Sequence, residues 1–283
     1  HPVTVEVAGS NPVKIANYGI IGLQLSRRKM LHNADCFDVI ESLPDNSVDA
    51  VITDPPYGTT SIEWDTMLNP ERVWRQIKRV MRTEKSPIIV FADQPFTSAL
   101  VMSNLSWFRH DFIWKKPQHS GAHNARKRPF KYTEDILVFS ENPSNYYYEQ
   151  VCTKLDKPKT IKYNLAGVPS LGKHKEEPED HTTYLTGFPK EVLEFTGVRK
   201  GDADSTGHPT QKPVDLLEYL INLYSKEGDV IFDPFMGSGS TGVACNNLNR
   251  EFIGVEMKED FYNLAVSRVK DLTLTPKTGI IEA

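Results

Sequence analysis

Residues 229–242 read DVIFDPFMGSGSTG, an apolar run followed by a glycine-rich turn, and this stretch decides the fold. The run is typical of a buried strand, and Gly237, Gly239 and Gly242 have the spacing G-x-G-x-x-G at the expected start of a helix. Because the first turn of a helix exposes backbone N–H groups, a strand, a glycine turn and a helix in this order can bind a charged ligand group. The stretch therefore predicts an α/β sheet with a ligand site at the end of one strand.

A second stretch, residues 48–57, reads VDAVITDPPY and again ends an apolar run at an aspartate. Pro55 and Pro56 fix φ and have no N–H, so the Asp54 carboxylate and the Pro55 carbonyl are rigid acceptors without a competing backbone donor. Two fixed acceptors suit the NH₂ group of adenine or cytosine, and Tyr57 offers a ring on which a base can stack, worth ~1 to 3 kcal/mol. A Pro-Pro turn after a strand would give the same letters, and the motif alone leaves that alternative open.

Outward from these stretches, short apolar runs alternate with amphipathic segments, which is the pattern of a parallel sheet covered by helices on both faces. We predict strands near residues 48–54, 87–92, 109–115, 135–140, 229–234 and 251–256. A helix is predicted to start at Asn69-Pro70. Apolar residues at helical spacing form three stripes that we interpret as core: Val73, Ile77, Val80 and Met81; Val214, Leu217, Leu220, Ile221 and Tyr224; and Phe261, Leu264, Ala265 and Val269.

Residues 142–207 break this alternation and are rich in Pro, Gly, Lys, Glu and Tyr, so we predict an insertion or small subdomain there. Its only clear helical piece is near Pro189 to Phe195. Tyr146, Tyr147 and Tyr148 either stack on bases or cover the edge of the sheet, and the sequence does not choose between the two.

Composition excludes several classes of protein. The 283 residues are 39% hydrophobic and 25% charged, and no run of 18 apolar residues occurs, which argues against a membrane-spanning helix and against wholesale disorder. His1-Pro2-Val3 lacks the basic and apolar regions of a signal peptide, so we expect none. Cys36, Cys152 and Cys245 are odd in number and far apart, which suits a reducing compartment; we expect the cytoplasm and no metal.

The net charge of −4 means that any contact with nucleic acid requires a local basic patch. One candidate is the stretch from Lys115 to Lys131, which has six basic residues and no acid. A solvated loop would have much the same composition, so this interpretation also stays open.

The residues around the glycine turn bear on the ligand. A dinucleotide would place its pyrophosphate at the turn, with Glu256 on a ribose. However, the Asp233 carboxylate would repel a pyrophosphate, whereas it would attract the ammonium of an amino-acid moiety. S-adenosylmethionine carries that ammonium, a carboxylate for the backbone N–H groups and ribose hydroxyls for Glu256. We therefore prefer this methyl donor to NAD.

Several motifs, in one order, resemble those of the S-adenosylmethionine-dependent DNA amino-methyltransferases. Besides residues 53–58 (TDPPYG) and 233–240 (DPFMGSGS), they are residues 33–37 (NADCF), 114–117 (WKKP), 134–139 (EDILVF) and 208–213 (HPTQKP). Because the DPPY motif precedes the FxGxG motif, the chain resembles the β group, whose motif order is circularly permuted. The matches span residues 31–140 and 208–270.

The resemblance implies a role for each matching residue. The catalytic motif would be Asp54, Pro55, Pro56 and Tyr57, in which Asp54 and the Pro55 carbonyl hold the amine in line with the sulfonium methyl group. The cofactor would be bound by Asp35, Cys36, Phe37, Asp54, His208, Thr210, Lys212, Asp233, Pro234, Phe235, Gly237, Ser238, Gly239, Glu256 and Met257. DNA would be bound by Lys116, Arg126, Lys127, Arg128 and Phe139. Three of these assignments have structural alternatives: Asp35 as a helix N-cap, residues 208–213 as a helix start and Phe139 as core.

The implied fold is a Rossmann-like methyltransferase fold with a mixed, mostly parallel seven-stranded sheet. We expect an amino-terminal extension (1–30), a catalytic part (31–141), an inserted target recognition region (142–207) and a cofactor-binding part (208–283). The implied reaction is methylation of N6 of an adenine flipped out of double-stranded DNA, because DPPY accompanies adenine and SPPY accompanies cytosine N4 in this family. Cytosine N4 methylation, an NAD-dependent oxidoreductase and a non-catalytic DNA-binding relative are the alternatives. The resemblance leaves open a homodimer and a separately acting restriction endonuclease.

Overall fold

The computed structural model describes residues 29–57, 70–120, 126–127, 129–150, 153–160, 183–187, 189–199 and 201–271. The strands are β1 (Lys29–His32), β2 (Ala50–Thr53), β3 (Ile88–Ala92), β4 (Phe108–Ser120), β5 (Lys131–Phe139), β6 (Thr153–Thr160), β7 (Thr183–Gly187), β8 (Val192–Glu194), β9 (Val230–Asp233) and β10 (Glu251–Val255). The helices are α1 (Cys36–Ser42), α2 (Pro70–Val80), α3 (Phe96–Ser103), α4 (Val214–Tyr224), α5 (Ser240–Asn247) and α6 (Glu259–Asp271).

Eight of these strands form one sheet in the order β1-β10-β9-β2-β3-β5-β4-β8. All of its pairs are parallel except the two that β5 makes with β3 and β4, so β5 alone runs against the other seven. Strands β6 and β7 form a separate antiparallel pair. The prediction of a mixed, mostly parallel sheet is confirmed, but the sheet has eight strands in the described residues, not seven.

The sheet is packed on both faces because its central strands are apolar on both sides. Along β3, Ile89 and Phe91 join the core beneath α4, α5 and α6, whereas Ile88 and Val90 join the core beneath α1, α2 and α3. This is the alternation of side chains along a strand. It explains why fully buried parallel strands read as continuous apolar runs in the sequence.

Two parts of the sheet differ from the sequence predictions. Strand β1 lacks an apolar run, because its four residues, KMLH, carry polar groups at both ends, and the sequence does not predict it. Residues 189–195 are predicted as a helix, since Val192 and Phe195 are spaced three apart, but Val192–Glu194 is the edge strand β8, whose register aligns Ile113 with Val192. Pairing with β4 overrides the helical spacing. This part of the predicted insertion therefore belongs to the main sheet.

The described tyrosines of residues 142–150 pack on the protein. The Tyr146 hydroxyl lies 3.1 Å from His110 Nδ1, and the ring of Tyr148 lies 5.8 Å from that of Tyr224 at the end of α4. Tyr146 therefore packs against β4 and Tyr148 against α4, and the choice between stacking on bases and covering the sheet edge stays a prediction. Across the described ranges, none of the six helices has the length and apolar character needed to span a membrane.

Candidate active site

The connections of the chain change direction between β2 and β9. From β2 the chain leads through α2 to β3 on one side, and from β9 it leads through α5 to β10 on the other. Open α/β sheets bind ligands at such a point, in the crevice outside the carboxyl ends of the strands. Asp54 directly follows β2 and Asp233 ends β9, so the two predicted motifs meet at this crevice.

A cavity of about 1060 Å³, with its open mouth included, occupies the crevice. The predicted site residues that line it are Asp35, Cys36, Phe37, Asp54, Pro56, His208, Thr210, Lys212, Asp233, Pro234, Phe235, Gly237, Ser238, Glu256 and Met257. Pro55, Tyr57 and Gly239 are not part of this lining.

The Asp233 carboxylate is buried and fixes the start of the glycine turn. Its Oδ1 accepts hydrogen bonds from the Thr53 hydroxyl (2.7 Å) and the Phe235 backbone N–H (3.1 Å), and its Oδ2 accepts one from the Thr241 hydroxyl (2.7 Å). Burial raises the pKa of Asp233 to about 6, although these three donors lower it. One side chain thus ties β2, the turn and α5 together.

The turn requires glycine and is braced by α6. Gly239 has φ of 77°, and a Cβ there would lie 2.8 Å from the Cβ of Ala265. From the next turn of α6, Arg268 Nη1 donates to the Ser238 carbonyl at 2.7 Å and lies 3.1 Å from the Ser240 hydroxyl. The far side of the turn is therefore held by α6, while the near side lines the cavity.

Glu256 and its neighbours form another wall. The Glu256 backbone N–H donates to the His32 carbonyl (3.0 Å), and Asn33 Nδ2 donates to the carbonyls of Glu256 (2.9 Å) and Met257 (3.1 Å). These bonds join β10 to the end of β1. The Glu256 carboxylate accepts the Lys258 N–H at 2.8 Å, and burial raises its pKa.

Asp35 caps a helix and also lines the cavity. Its Oδ1 accepts the Phe37 backbone N–H at 2.7 Å, which makes it the N-cap of α1. It also lines the cavity beside Cys36, whose pKa burial raises to about 12, so this thiol is neutral.

The segment before α4 contributes a neutral imidazole. His208 Nδ1 accepts the Thr210 N–H at 3.3 Å, and the His208 ring lies 4.2 Å from the Phe261 ring. Burial lowers the pKa of His208 to about 4, and the charges of Lys212 and Arg268 contribute to this lowering. Phe261 lines the cavity, so this member of the α6 stripe, interpreted from the sequence as core, is corrected to a wall residue.

Five side chains around the DPPY motif form what we term the lysine-carboxylate cluster: Asp54, Tyr57, Lys116, Glu134 and Lys212. Lys212 Nζ lies 2.5 Å from Asp54 Oδ2 and 2.9 Å from Glu134 Oε1. Lys116 Nζ binds Glu134 Oε2 at 2.5 Å, and the Tyr57 hydroxyl donates to Asp54 Oδ1 at 2.6 Å. Lys212, which the resemblance assigns to cofactor binding, lines the cavity and has its charged end on Asp54.

The surroundings of the two carboxylates drive their pKa values apart. Burial raises the pKa of Asp54, and the negative charge of Glu134 raises it further, while Lys212 opposes both. Burial also disfavours ionised Glu134, but Lys212 and Lys116 outweigh it and lower its pKa to about 2. The pKa of Lys212 is raised by the two carboxylates, against the effect of burial. Lys212 is therefore charged, and Asp54 is the weaker acid of the two carboxyl groups.

The Tyr57 ring is supported from one side by Phe96, the first residue of α3. The ring centroids are 5.3 Å apart with an interplanar angle of 19°, which is a stacked arrangement. With one face on Phe96 and its hydroxyl bound to Asp54, Tyr57 is fixed in orientation. Phe96 was not predicted.

The predicted DNA-binding residues that the structure describes lie in different environments. The DNA-binding role predicted for Phe139 is wrong, because its side chain is fully buried against Trp74 and Phe108. Phe139 lies at the end of antiparallel β5 that is away from the cavity. Lys116 lies in the cluster, bound to Glu134. Arg126 and Lys127 are exposed, and Arg128 lies outside the described residues.

At its two ends the basic stretch lies in strands rather than in a loop. Lys115 pairs with Glu194 of β8 at 2.7 Å, and Lys131 pairs with Asp93. Both lie in strands, so acids from other parts of the chain balance charges that seemed unopposed in the sequence.

Sequence reasoning missed Glu134, Phe96 and Arg268 as parts of the site. Glu134 belongs to a quoted motif but had no role there, and the signal that could have found it is an acid next to an apolar strand. Arg268 follows Ala265 by three residues, so it lies on the buried side of α6. Phe96 has no local signal, because only the fold brings it to Tyr57.

Comparison with known proteins adds to this geometry. A family model described as DNA methylase, of N6/N4 type, matches residues 48–267. The Type II methyltransferase M1.MboII of Moraxella bovis is 27% identical over 252 residues, which cover 83% of this chain and 94% of that protein. The crystal structure of M1.HpyAVI in complex with SAM has a TM-score of 0.57 and 26% identity, covering 85% of this chain and all of the other. The cytosine-N4-specific PvuII DNA methyltransferase is similar in fold alone, with a TM-score of 0.59, 17% identity and coverage of 87% and 88%.

Proposed function

The chain belongs to the N6/N4 DNA methylase family, and on that premise we propose that it methylates the N6 amine of an adenine within a specific DNA sequence. It is an S-adenosylmethionine-dependent DNA methyltransferase. The finer proposal concerns the target base and the residues that act on it. The observation that carries it is the position of Asp54, which follows β2, lines the cavity and belongs to a buried charged cluster.

The cavity fits the methyl donor. It combines a glycine turn that a larger side chain would fill, since a Cβ on Gly237 would lie 3.2 Å from His208 Nε2, with the acidic groups of Asp35 and Glu256. We assign Glu256 to the ribose hydroxyls, Asp35 to the adenine side and the glycine turn with His208 to the methionine end. When bound, the donor supplies a methyl group on a positively charged sulfur.

Asp54 and the Pro55 carbonyl are assigned to the amine of the target base. An exocyclic amine is a poor nucleophile because its lone pair is delocalised into the ring, and accepting its two hydrogens localises that lone pair on nitrogen. Tyr57, supported by Phe96, holds the base plane. Most of the acceleration then comes from orientation and from exclusion of water. Flipping the base out of duplex DNA costs a few kcal/mol of free energy, and stacking and phosphate contacts offset this cost.

We propose adenine on the resemblance of DPPY, with Asp at its first position, to the adenine-specific motif. Target recognition is assigned to residues 142–207, and phosphate contacts to Arg126 and Lys127. The substrate is double-stranded DNA. The resemblance leaves open a homodimer and a separately acting restriction endonuclease as partners.

The test is methylation of DNA by the purified protein with labelled S-adenosylmethionine, followed by single-molecule sequencing that detects modified bases. N6-methyladenine at one recurring sequence is the expected result. N4-methylcytosine at that position would replace the adenine proposal by the cytosine alternative. Absence of label in DNA of mixed sequence, with label transfer to another substrate, would overturn both.

A further inference from the structure

The lysine-carboxylate cluster contains a cation where the proposed reaction needs an amine. Asp54 accepts a hydrogen bond at each carboxylate oxygen, from Tyr57 at Oδ1 and from Lys212 at Oδ2. Tyr57 is stacked on Phe96, so its hydroxyl is held in place. Lys212 reaches Asp54 by a flexible side chain and lines the same cavity. Of the two donors, Lys212 is therefore the one that can move.

The cluster also offers Lys212 a second site. Its ammonium lies between two carboxylates, 2.5 Å from Asp54 Oδ2 and 2.9 Å from Glu134 Oε1. All three side chains are largely buried, with 10% of Lys212, 10% of Glu134 and 19% of Asp54 exposed. A buried lysine that is paired with only one carboxylate would lose its ion pair if it moved away from that carboxylate. With Glu134 beside it, Lys212 can give up Asp54 without becoming an unpaired buried charge.

The carboxylates are not equivalent. Glu134 faces two ammonium groups, from Lys116 and Lys212, whereas Asp54 faces one, from Lys212. The neutral Tyr57 hydroxyl lies 2.6 Å from Asp54 Oδ1 and 3.3 Å from Glu134 Oε1, so the difference between the carboxylates is in the number of ammonium groups. The exocyclic amine of the target base can donate a hydrogen bond to Asp54, as the ammonium group of Lys212 does, but it carries no charge. Its arrival at Asp54 therefore replaces a charged donor by a neutral one, while the pair between Lys212 and Glu134 remains.

We propose that Lys212 is a positioning residue that occupies the amine position on Asp54 Oδ2 and is displaced onto Glu134 when the base enters. Before entry, the ammonium group keeps Asp54 ionised and oriented. This inference rests on the proposed role of Asp54 but is independent of whether the base is adenine or cytosine.

The displacement makes Asp54 a better base at the required moment. As the amine nitrogen forms its bond to the methyl carbon, the carbon–sulfur bond breaks and its electron pair stays on sulfur. The nitrogen is then positively charged and must lose one proton. Asp54 Oδ2, separated from its ammonium group and buried, is the acceptor, and the proton later leaves to solvent. Glu134, held between two lysines, remains ionised throughout.

Opposite changes in pH dependence test the proposal, because only ionised Asp54 accepts the amine. The charged groups that face Asp54 are Lys212 from the segment before α4, Glu134 from β5 and Asp233 from β9, together with the Tyr57 hydroxyl. Replacing Lys212 by Met removes a positive charge and should move the acidic limb of the methylation rate to higher pH, by about 1 to 3 units. Replacing Glu134 by Gln removes a negative charge and should move that limb to lower pH.

The measurement is the single-turnover rate between pH 5 and 9, with saturating S-adenosylmethionine and a duplex carrying the site found by sequencing. Affinity for S-adenosylhomocysteine is measured in parallel by calorimetry and reports an intact fold. The matched control is Lys78→Met, which removes an exposed pair with Glu141, away from the cavity, and should leave the limb unchanged.

The variant Lys212→Arg separates charge from displacement. Arginine keeps the positive charge, so the acidic limb should stay where it is in the wild type. Its planar fork binds a carboxylate through two hydrogen bonds and releases it less readily, so KM for DNA should rise several-fold. If Lys212→Met does not bind S-adenosylhomocysteine, Glu134→Gln and Lys212→Arg decide the question.

The proposal would be overturned if the acidic limb of the pH profile were the same in the wild type, Lys212→Met and Glu134→Gln. It would also be overturned if the limb shifted in the same direction in both variants. A wild-type protein that transfers no methyl group to DNA would instead contradict the proposed function, which the same experiment reports separately.

Discussion

Asp54 and Asp233 follow neighbouring parallel strands and line the same cavity, yet they have different partners. Asp233 is 2% exposed and receives three hydrogen bonds from neutral donors, all supplied by the adjacent backbone and by hydroxyls of Thr53 and Thr241. Asp54 is bound by an ammonium group from a residue 158 positions away and by a tyrosine hydroxyl.

This difference separates a framework carboxylate from an exchangeable one. The short hydroxyl side chains on Asp233 belong to β2 and α5 and cannot leave without unfolding the turn. The long lysine side chain on Asp54 can leave, because a second carboxylate lies beside it. The same residue type at equivalent places in the sheet thus holds the fold together in one case and is available to a substrate in the other.

Replacing Asp54, the exchangeable carboxylate, should have the largest effect, and that effect should be on the rate of methylation. Asp54→Ala should lower the methylation rate by at least about a hundredfold, because the amine loses its acceptor. Affinity for S-adenosylhomocysteine should change far less. Radiolabel transfer and calorimetry measure the two quantities, and wild-type turnover in the variant would remove Asp54 from the chemistry.

Asp233 should act on stability, and its effect should depend on pH. Its pKa is raised from 3.8 to about 6 in the folded protein, so the native state favours the protonated form. The stabilisation is complete below pH ~4 and is lost as the pH rises through ~6, a change of about 3 kcal/mol. Because Asp233→Asn does not titrate, its free energy of unfolding relative to the wild type should rise by that amount between pH ~4 and ~7.

Urea unfolding of both proteins at each pH tests this expectation. Effects of other titrating groups cancel in the difference between the two proteins. A difference that is independent of pH would show that Asp233 does not have a raised pKa.

The glycine turn allows a smaller test of the framework. Gly239→Ala should destabilise the protein by about 2 kcal/mol, since the methyl group meets Ala265 at 2.8 Å in a left-handed backbone. Gly201→Ala is the matched control, because Gly201 also has positive φ, of 100°, but no atom within 4 Å of an added Cβ. Thermal unfolding should show the larger destabilisation at Gly239, and equal effects would mean that backbone strain, not the clash with α6, accounts for both.

The smallest effect is expected at the exposed Arg126 and Lys127. If they bind phosphates, replacing both by Ala should reduce the slope of log affinity against log salt by ~0.9 for each phosphate that is no longer neutralised, on specific and random duplexes alike. Binding across a salt series measures the slope. An unchanged slope would assign this segment to ordinary solvated surface and leave the roles of Asp54 and Asp233 untouched.

The parts of the fold that sequence predicted well are those with a local signal. Strands β2, β3, β9 and β10 are apolar runs because both of their faces are covered, and the two glycine and proline motifs mark the ends of β9 and β2. Strand β8 has no such signal, since three residues at an edge are defined only by pairing with β4.

The site was predictable as a set of motifs but not as a set of contacts. Lys212 and Asp54 are 158 positions apart, and nothing near either residue in the sequence indicates the other. The sequence identified Lys212 as part of the site but did not indicate that it pairs with Asp54. The DNA-binding role predicted for Phe139 is wrong for a related reason, because the direction of β5 decides which end of the strand lies at the cavity.

The reversal of β5 also changes where functional residues should be sought in other sequences. In a parallel strand the residue that reaches the ligand edge follows the apolar run, as Asp54 does. In a reversed strand it precedes the run, as Glu134 precedes residues 136–139. A pattern search restricted to positions after strands would therefore pass over every such residue, whereas one that also reads the position before a run would recover it without any knowledge of the structure.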